Sequence, residues 1–169
     1  LAMLFSTGAL ARVERLELDG NLFGPAGGSA LFDGLGCGDA LRVTNLDLRD
    51  TGLGDVGASA LAGALSRGAL PTLEVLHVNH NEMGDEGLEA LALQLRRLPA
   101  LRKLDISNNS ISDSGMSALV ENLGEKELKQ LERLDLGSNQ ITDAGCATIA
   151  AALDIHALPS LEFARHSPV

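Results

Sequence analysis

The chain has 169 residues, 45% of them apolar, and 13 basic against 23 acidic side chains give a formal charge of −10. That balance, with a pI near 4.7, argues against nucleic acid or an anionic membrane as partner and leans towards basic protein surfaces. No apolar run approaches the roughly 20 residues that a membrane-spanning helix needs, and the two cysteines, Cys37 and Cys146, form neither a CxxC nor a CxxH pattern.

The first residues, LAMLF, read as the tail of a helix, because Leu1 and Phe5 stand 60 residues before Leu61 and Leu65. From there Val13, Val43, Leu73, Leu101, Leu131 and Leu161 each open a similar block, at intervals of 30, 30, 28, 30 and 30 residues. A fixed period of this length is the mark of a solenoid, in which each unit packs only on its neighbours. The whole chain, 1–169, is therefore predicted to be one array. It divides into a partial repeat 1–12, full repeats 13–42, 43–72, 73–100, 101–130 and 131–160, and a degraded partial repeat 161–169. Both ends read as cut repeats, so a longer parent array is expected.

Within a block, counted from its opening residue, positions 1, 4 and 6 are apolar, as in Leu73, Leu76 and Val78. The alternation at positions 4 and 6 predicts a short strand with one buried face. Five strands, near Leu16, Leu46, Leu76, Leu104 and Leu134, should line up in parallel, each followed by a right-handed helical crossover. Position 9 then holds Asn21, Thr51, Asn81, Asn109 and Asn139. A side-chain amide there can satisfy backbone groups left open where the strand turns, so an Asn/Thr ladder is predicted.

Position 12 is Gly24, Gly54, Gly84, Ser112 or Thr142, and position 13 is Pro25, Asp55, Asp85, Asp113 or Asp143. The first set are N-cap types, and the second suit the first helical position and its dipole. Position 15 is always glycine in the full blocks: Gly27, Gly57, Gly87, Gly115 and Gly145. Glycine inside a helix costs about 1 kcal/mol relative to alanine, so its recurrence predicts a close approach of neighbouring backbone. Cys146 shares its place with Gly28, Ala58 and Met116, which predicts a small packed thiol. The sparse cysteines fit a reduced, cytoplasmic setting. Leu70-Pro71, Leu98-Pro99 and Leu158-Pro159 close blocks, because proline stops the helix and favours an extended entry to the next strand.

The pattern LxxLxLxxNxI followed by S/T/G-D-x-G and spaced leucines resembles leucine-rich repeats of the ribonuclease-inhibitor type. Residues 101–111 (LRKLDISNNSI) and 131–141 (LERLDLGSNQI) carry it most cleanly. The resemblance covers essentially the whole chain. It implies an α/β solenoid, a horseshoe with a parallel inner sheet and outer helices. It also implies protein binding on the concave face. Proteins with such repeats include a regulator of a small GTPase and nucleotide-binding innate immune receptors, and the repeat does not choose among them.

Positions 3, 5 and 7 would face the concave side. They give the candidate partner-binding residues Arg15, Glu17, Asp47, Arg49, His77, Lys103, Asp105, Arg133 and Asp135. Acids at position 5 form a predicted row, beside bases at position 3 that pair as Arg15 with Glu17, Lys103 with Asp105 and Arg133 with Asp135. The row suits a basic partner surface. His77 and His80 meet no ligand spacing known for zinc, and no phosphate-cradling or nucleophile motif is present. The expectation is a non-enzymatic protein-binding module with no cofactor or metal.

Overall fold

A computed structural model of the chain describes residues 10, 12–35, 41–122 and 130–154. Strands and helices alternate: β1 (Arg15–Glu17), α1 (Gly24–Leu35), β2 (Asn45–Asp47), α2 (Gly54–Ser66), β3 (Val75–His77), α3 (Asp85–Leu95), β4 (Lys103–Asp105), α4 (Asp113–Asn122), β5 (Arg133–Asp135) and α5 (Asp143–Asp154). The strands form one five-stranded sheet in chain order, every neighbouring pair parallel. This is the α/β repeat solenoid that the sequence predicts. The degraded repeat 161–169 and nearly all of the partial repeat 1–12 lie outside the described residues.

The register follows the sequence repeat. Leu16, Leu46, Leu76, Leu104 and Leu134 stand opposite one another across the sheet. All five are buried, as are Leu18, Leu48, Val78 and Ile106 at position 6. Helix residues such as Phe32, Leu61, Leu88 and Leu91 close on them with no exposed surface, giving one continuous core along the stack. Parallel strands repeat about every 4.8 Å, whereas packed helices need about 8–10 Å. Stacking both layers in register therefore bends the array, with the sheet on the inside of the curve.

After each strand the chain turns through a left-handed residue at position 8: Gly20, Asp50, His80, Asn108 and Ser138 all have positive φ. Position 9 then fixes the turn. Asn81 Nδ2 donates to Val78 O and Asn79 O in its own turn, and to Leu48 O of the preceding repeat at 2.7 Å. Its Oδ1 accepts from the N–H groups of Thr51 and Leu53. Asn109 repeats this on Val78 O, Asn81 N and Met83 N, and Asn139 on Ile106 O and Ile111 N. At Asn81, Asn109 and Asn139 the predicted ladder is thus a set of clamps, each reaching back one repeat. Asn21 bonds only the carbonyls of Leu18 and Asp19 in its own turn.

A second set of contacts reaches forward. Asp55 Oδ1 accepts from Gly84 N (2.7 Å) and Gly87 N (2.9 Å), at the start of the next repeat's helix. Asp85 accepts from Ser112 N and its hydroxyl, and Asp113 from Thr142 N, its hydroxyl and Gly145 N. These carboxylates cap the neighbouring helix, where unpaired N–H groups gather. They also explain the glycines at position 15 of the last three repeats, whereas Gly27 and Gly57 are crowded by Phe23 and Leu53 of their own repeats. A Cβ on Gly115 would stand 2.4 Å from Asp85 Oδ1, and one on Gly145 2.4 Å from Asp113 Oδ1. The close approach expected from backbone is made mainly by a neighbour's carboxylate.

The first joint is built otherwise. Pro25 replaces the aspartate and Thr51 the asparagine, and Thr51 Oγ1 bonds within repeats 43–72 and 73–100 only. There Leu53 fills the space over Gly28, where a Cβ would meet Leu53 Cδ2 at 2.5 Å. The same geometry corrects the reading of Cys146, which is exposed. Its counterparts Gly28, Ala58 and Met116 are buried, each under the repeat that follows. No described repeat lies over Cys146.

Candidate functional site

The inner face of the sheet carries positions 3, 5 and 7. Pairing places Arg15, Asn45, Val75, Lys103 and Arg133 in one row, and Glu17, Asp47, His77, Asp105 and Asp135 in a second. Arg49 lies two residues beyond Asp47. All nine candidate residues therefore share one face, because alternate side chains of a strand point the same way.

The acidic row is tied down. Each aspartate accepts from the backbone N–H two residues ahead: Asp47 from Arg49, Asp105 from Ser107 and Asp135 from Gly137. These Asx-type turns are the local habit of a short carboxylate at a strand end. They draw the Asp105 carboxylate away from position 3, while Asp135 keeps one oxygen near Arg133. Arg49 grips Asp47 through Nε (2.9 and 3.0 Å) and a terminal nitrogen (2.6 Å), and approaches Asp19 at 4.0 Å. Asp105 takes the Ser107 hydroxyl at 2.7 Å and lies 3.7 Å from His77 Nδ1. Burial works against ionisation of Asp105, but the nearby His77 ring and the bonds from Ser107 prevail and hold the carboxyl below the usual range.

Of the three ion pairs predicted within strands, only Arg133 with Asp135 forms, at 3.4 Å. Asp105 turns to Ser107 and His77, leaving Lys103 free, and Glu17 has no partner in Arg15. Among the described residues no carboxylate lies within ion-pair distance of Arg15 or Lys103. The reason is reach: positions 3 and 5 are about 6.6 Å apart along a strand, and the aspartates already have nearer donors. Across positions 3, 5 and 7, four cations (Arg15, Arg49, Lys103, Arg133) face five anions (Glu17, Asp19, Asp47, Asp105, Asp135). The inner face is close to neutral, and the chain's acid excess lies elsewhere.

Sequence reasoning missed a depression on this face. Asn45, Val75, His77, Lys103, Asp105 and Arg133 line it, around a volume of about 290 Å³. Small-molecule pockets run from about 300 to 1,000 Å³, so this hollow matches a side chain or two of a protein partner. Among the described residues, the buried side-chain polar atoms without a hydrogen bond are Asn45 Oδ1, His77 Nδ1 and Asn79 Oδ1. Asn45 and His77 belong to β2 and β3, and Asn79 lies two residues beyond β3 at position 7 of the same face. No group of three or more His, Cys, Asp or Glu among the described residues is disposed to hold a metal ion. No described helix is long and apolar enough to cross a membrane.

Comparison with known proteins agrees with this architecture. Family models for leucine-rich repeats match residues 99–150 (Leucine Rich repeats, 2 copies) and residues 43–62 and 69–92 (Leucine Rich repeat). The chain therefore carries leucine-rich repeats, and its fold is the leucine-rich-repeat solenoid. A solved structure described as Leiomodin-1 Actin-Binding Site 2 is similar at a TM-score of 0.69, with 18% identity, over 92% of this chain and 86% of that one. An internalin from Listeria monocytogenes str. 4b F2365 aligns with a TM-score of 0.37 and 18% identity, over 95% of this chain and 50% of that one. No curated protein sequence matches the chain.

Proposed function

We propose that the chain is a non-enzymatic protein-interaction module, built of repeats of the ribonuclease-inhibitor type, that holds a partner protein on its inner sheet in a reducing intracellular setting. The observation that carries this reading is the coincidence of three features on one face. They are the in-register rows of charged side chains, a side-chain-sized hollow and unsatisfied buried polar atoms. A solenoid's inner surface is its usual contact area. The basic complement expected of a partner belongs at the β1–β2 end, where Glu17 is unpaired and Asp19 has only a distant arginine.

The partner's identity follows from experiment. A photo-reactive residue placed at Val75 on the inner sheet should cross-link one defined protein. The same probe at Leu93, exposed on α3, should give none. Glu17→Lys with Asp19→Lys should weaken capture at Val75 at least tenfold. Equal cross-linking from both faces would overturn the reading. Purified actin is a reasonable first protein to try, since the similar solenoid above is described as an actin-binding site.

A further inference from the structure

The geometry points to a carboxylate-recognising subsite at the β3–β5 end of the inner sheet, which takes an acidic residue from a partner's extended segment. It rests on the reading of the inner sheet as the contact face and names what one part of that face binds.

Three observations carry it. First, Lys103 and Arg133 stand directly opposite each other on neighbouring parallel strands, about 4.8 Å apart, and both are exposed. Lys103 has no carboxylate within ion-pair distance among the described residues. Arg133 has one loose contact, with Asp135 at 3.4 Å, and most of its side chain is in solvent. Second, the neighbouring aspartates do not compete fully for these cations. Asp105 accepts from Ser107 N and its hydroxyl, and Asp135 Oδ1 from Gly137 N, which leaves only Asp135 Oδ2 on Arg133. Third, the cations rim the hollow whose wall is Val75 and whose other side carries Asn45 and His77, each with a buried atom lacking a hydrogen bond; Asp105 also lines it, its Oδ1 already taken by Ser107 N and the Ser107 hydroxyl. Asn79, two residues beyond His77 and almost wholly buried, has a third.

A glutamate side chain fits this arrangement. Its methylenes would lie on Val75, and its carboxylate would bridge the Lys103 ammonium and the Arg133 guanidinium, a planar fork suited to carboxylate. Asn45 Oδ1 is an acceptor on a terminal torsion that turns easily. It can meet a backbone N–H of the incoming segment. A lysine in the same place would meet two like charges, offset only by Asp105, whose Oδ1 is already bonded to Ser107. The chain's overall charge of −10 repels acidic peptides at long range, so any such binding must come from this local pair.

The test uses the whole 169-residue chain and a capped, fluorescein-labelled peptide with two Glu-Leu-Glu triplets. Matched peptides carry Gln or Lys in place of Glu. Anisotropy should show the Glu peptide binding at least tenfold tighter than either. Amide shifts in its complex should centre on residues 75, 77, 103 and 133. Lys103→Gln with Arg133→Gln should abolish that preference, while Arg96→Gln with Arg97→Gln, beyond the end of α3, should leave it intact. Unchanged amide spectra away from the site would show the variants folded. Equal binding of Glu and Gln peptides, no binding, or retention of the preference in the double variant would each overturn the subsite. If the Lys peptide binds and shifts residues 17, 47 and 49, the subsite falls and the inner-sheet reading stands. If shifts appear only on the helices, both fall.

Discussion

Asn81 and Asn21 are the same residue type at the same place in the repeat, yet they do different work. Asn81 is almost fully buried and closes bonds on two repeats. Asn21 is exposed and serves only its own turn. Leaving buried backbone groups unpaired costs about 1–3 kcal/mol, so Asn81→Ala should destabilise the chain by about that much or more. Asn21→Ala should cost less than about 1 kcal/mol, since water replaces its exposed bonds. Urea unfolding of both variants checks the contrast. Hydrogen exchange in Asn81→Ala should also quicken at Thr51 and Leu53, a repeat away. The Asn column was legible in the sequence because a polar residue recurring at a strand's end has few other uses. The fate of each member was not, since it depends on whether a neighbour stands behind it. Cys146 was misread for the same reason: its place in the repeat is buried only when another repeat covers it.

At the scale of a helix, the aspartate at position 13 and the glycine at position 15 of the following repeat are one device. Gly115→Ala gains helix propensity of up to about 1 kcal/mol. It also drives a Cβ into Asp85 Oδ1, displacing the carboxylate from Ser112 N and its hydroxyl. Loss of a helix cap costs about 0.5–2 kcal/mol, so Gly115→Ala should be neutral to destabilising in the native background. With Asp85→Ala already present, the same change should cost less, the Ile111 side chain at 3.0 Å being the close neighbour that remains. A double-mutant cycle with chemical denaturation measures the coupling, and additive single effects would show that carboxylate and glycine are independent. The helix starts were readable from local capping chemistry. The cross-repeat partner was not, because an acid in a helix's first turn already has a sufficient explanation in its own dipole.

The whole molecule carries this chemistry into its response to acid. The Thr142 hydroxyl, Thr142 N and Gly145 N hold Asp113 below its usual pKa, and Asp105 is also lowered. A carboxyl depressed in the folded state adds stability above its unfolded pKa, and that stability fades as pH falls through the folded pKa. Urea midpoints should therefore drop as pH falls from the ordinary carboxylate range. In Asp105→Asn with Asp113→Asn the slope should be shallower. An identical slope in the variant would remove these two groups from the account. At this scale the sequence was most informative: period, strand order and sheet orientation all follow from the spacing of leucines. The site was legible as a face but not as a charge pattern. Residue spacing names the acids and bases that share a surface, while short side chains choose partners by reach, as Asp105 chose Ser107.

The joint between residues 13–42 and 43–72 has neither clamp, Pro25 and Thr51 standing where the other joints have aspartate and asparagine. Beyond the backbone ladder, Thr44 on Glu14 O and Arg67 on Phe32 O, it relies on apolar packing, with Leu53 over Gly28 and Phe32 beneath. Apolar contacts weaken in the cold, whereas hydrogen bonds to charged groups do not share that dependence. Chilling should therefore open the array from this seam. Amide exchange around α1 should accelerate relative to α3 and α4 as the solution approaches freezing, and the order should level out on warming. A protein whose ends respond differently to temperature would present the β1–β2 and β4–β5 parts of its inner face with unequal firmness, so a bound partner would be released from one end first.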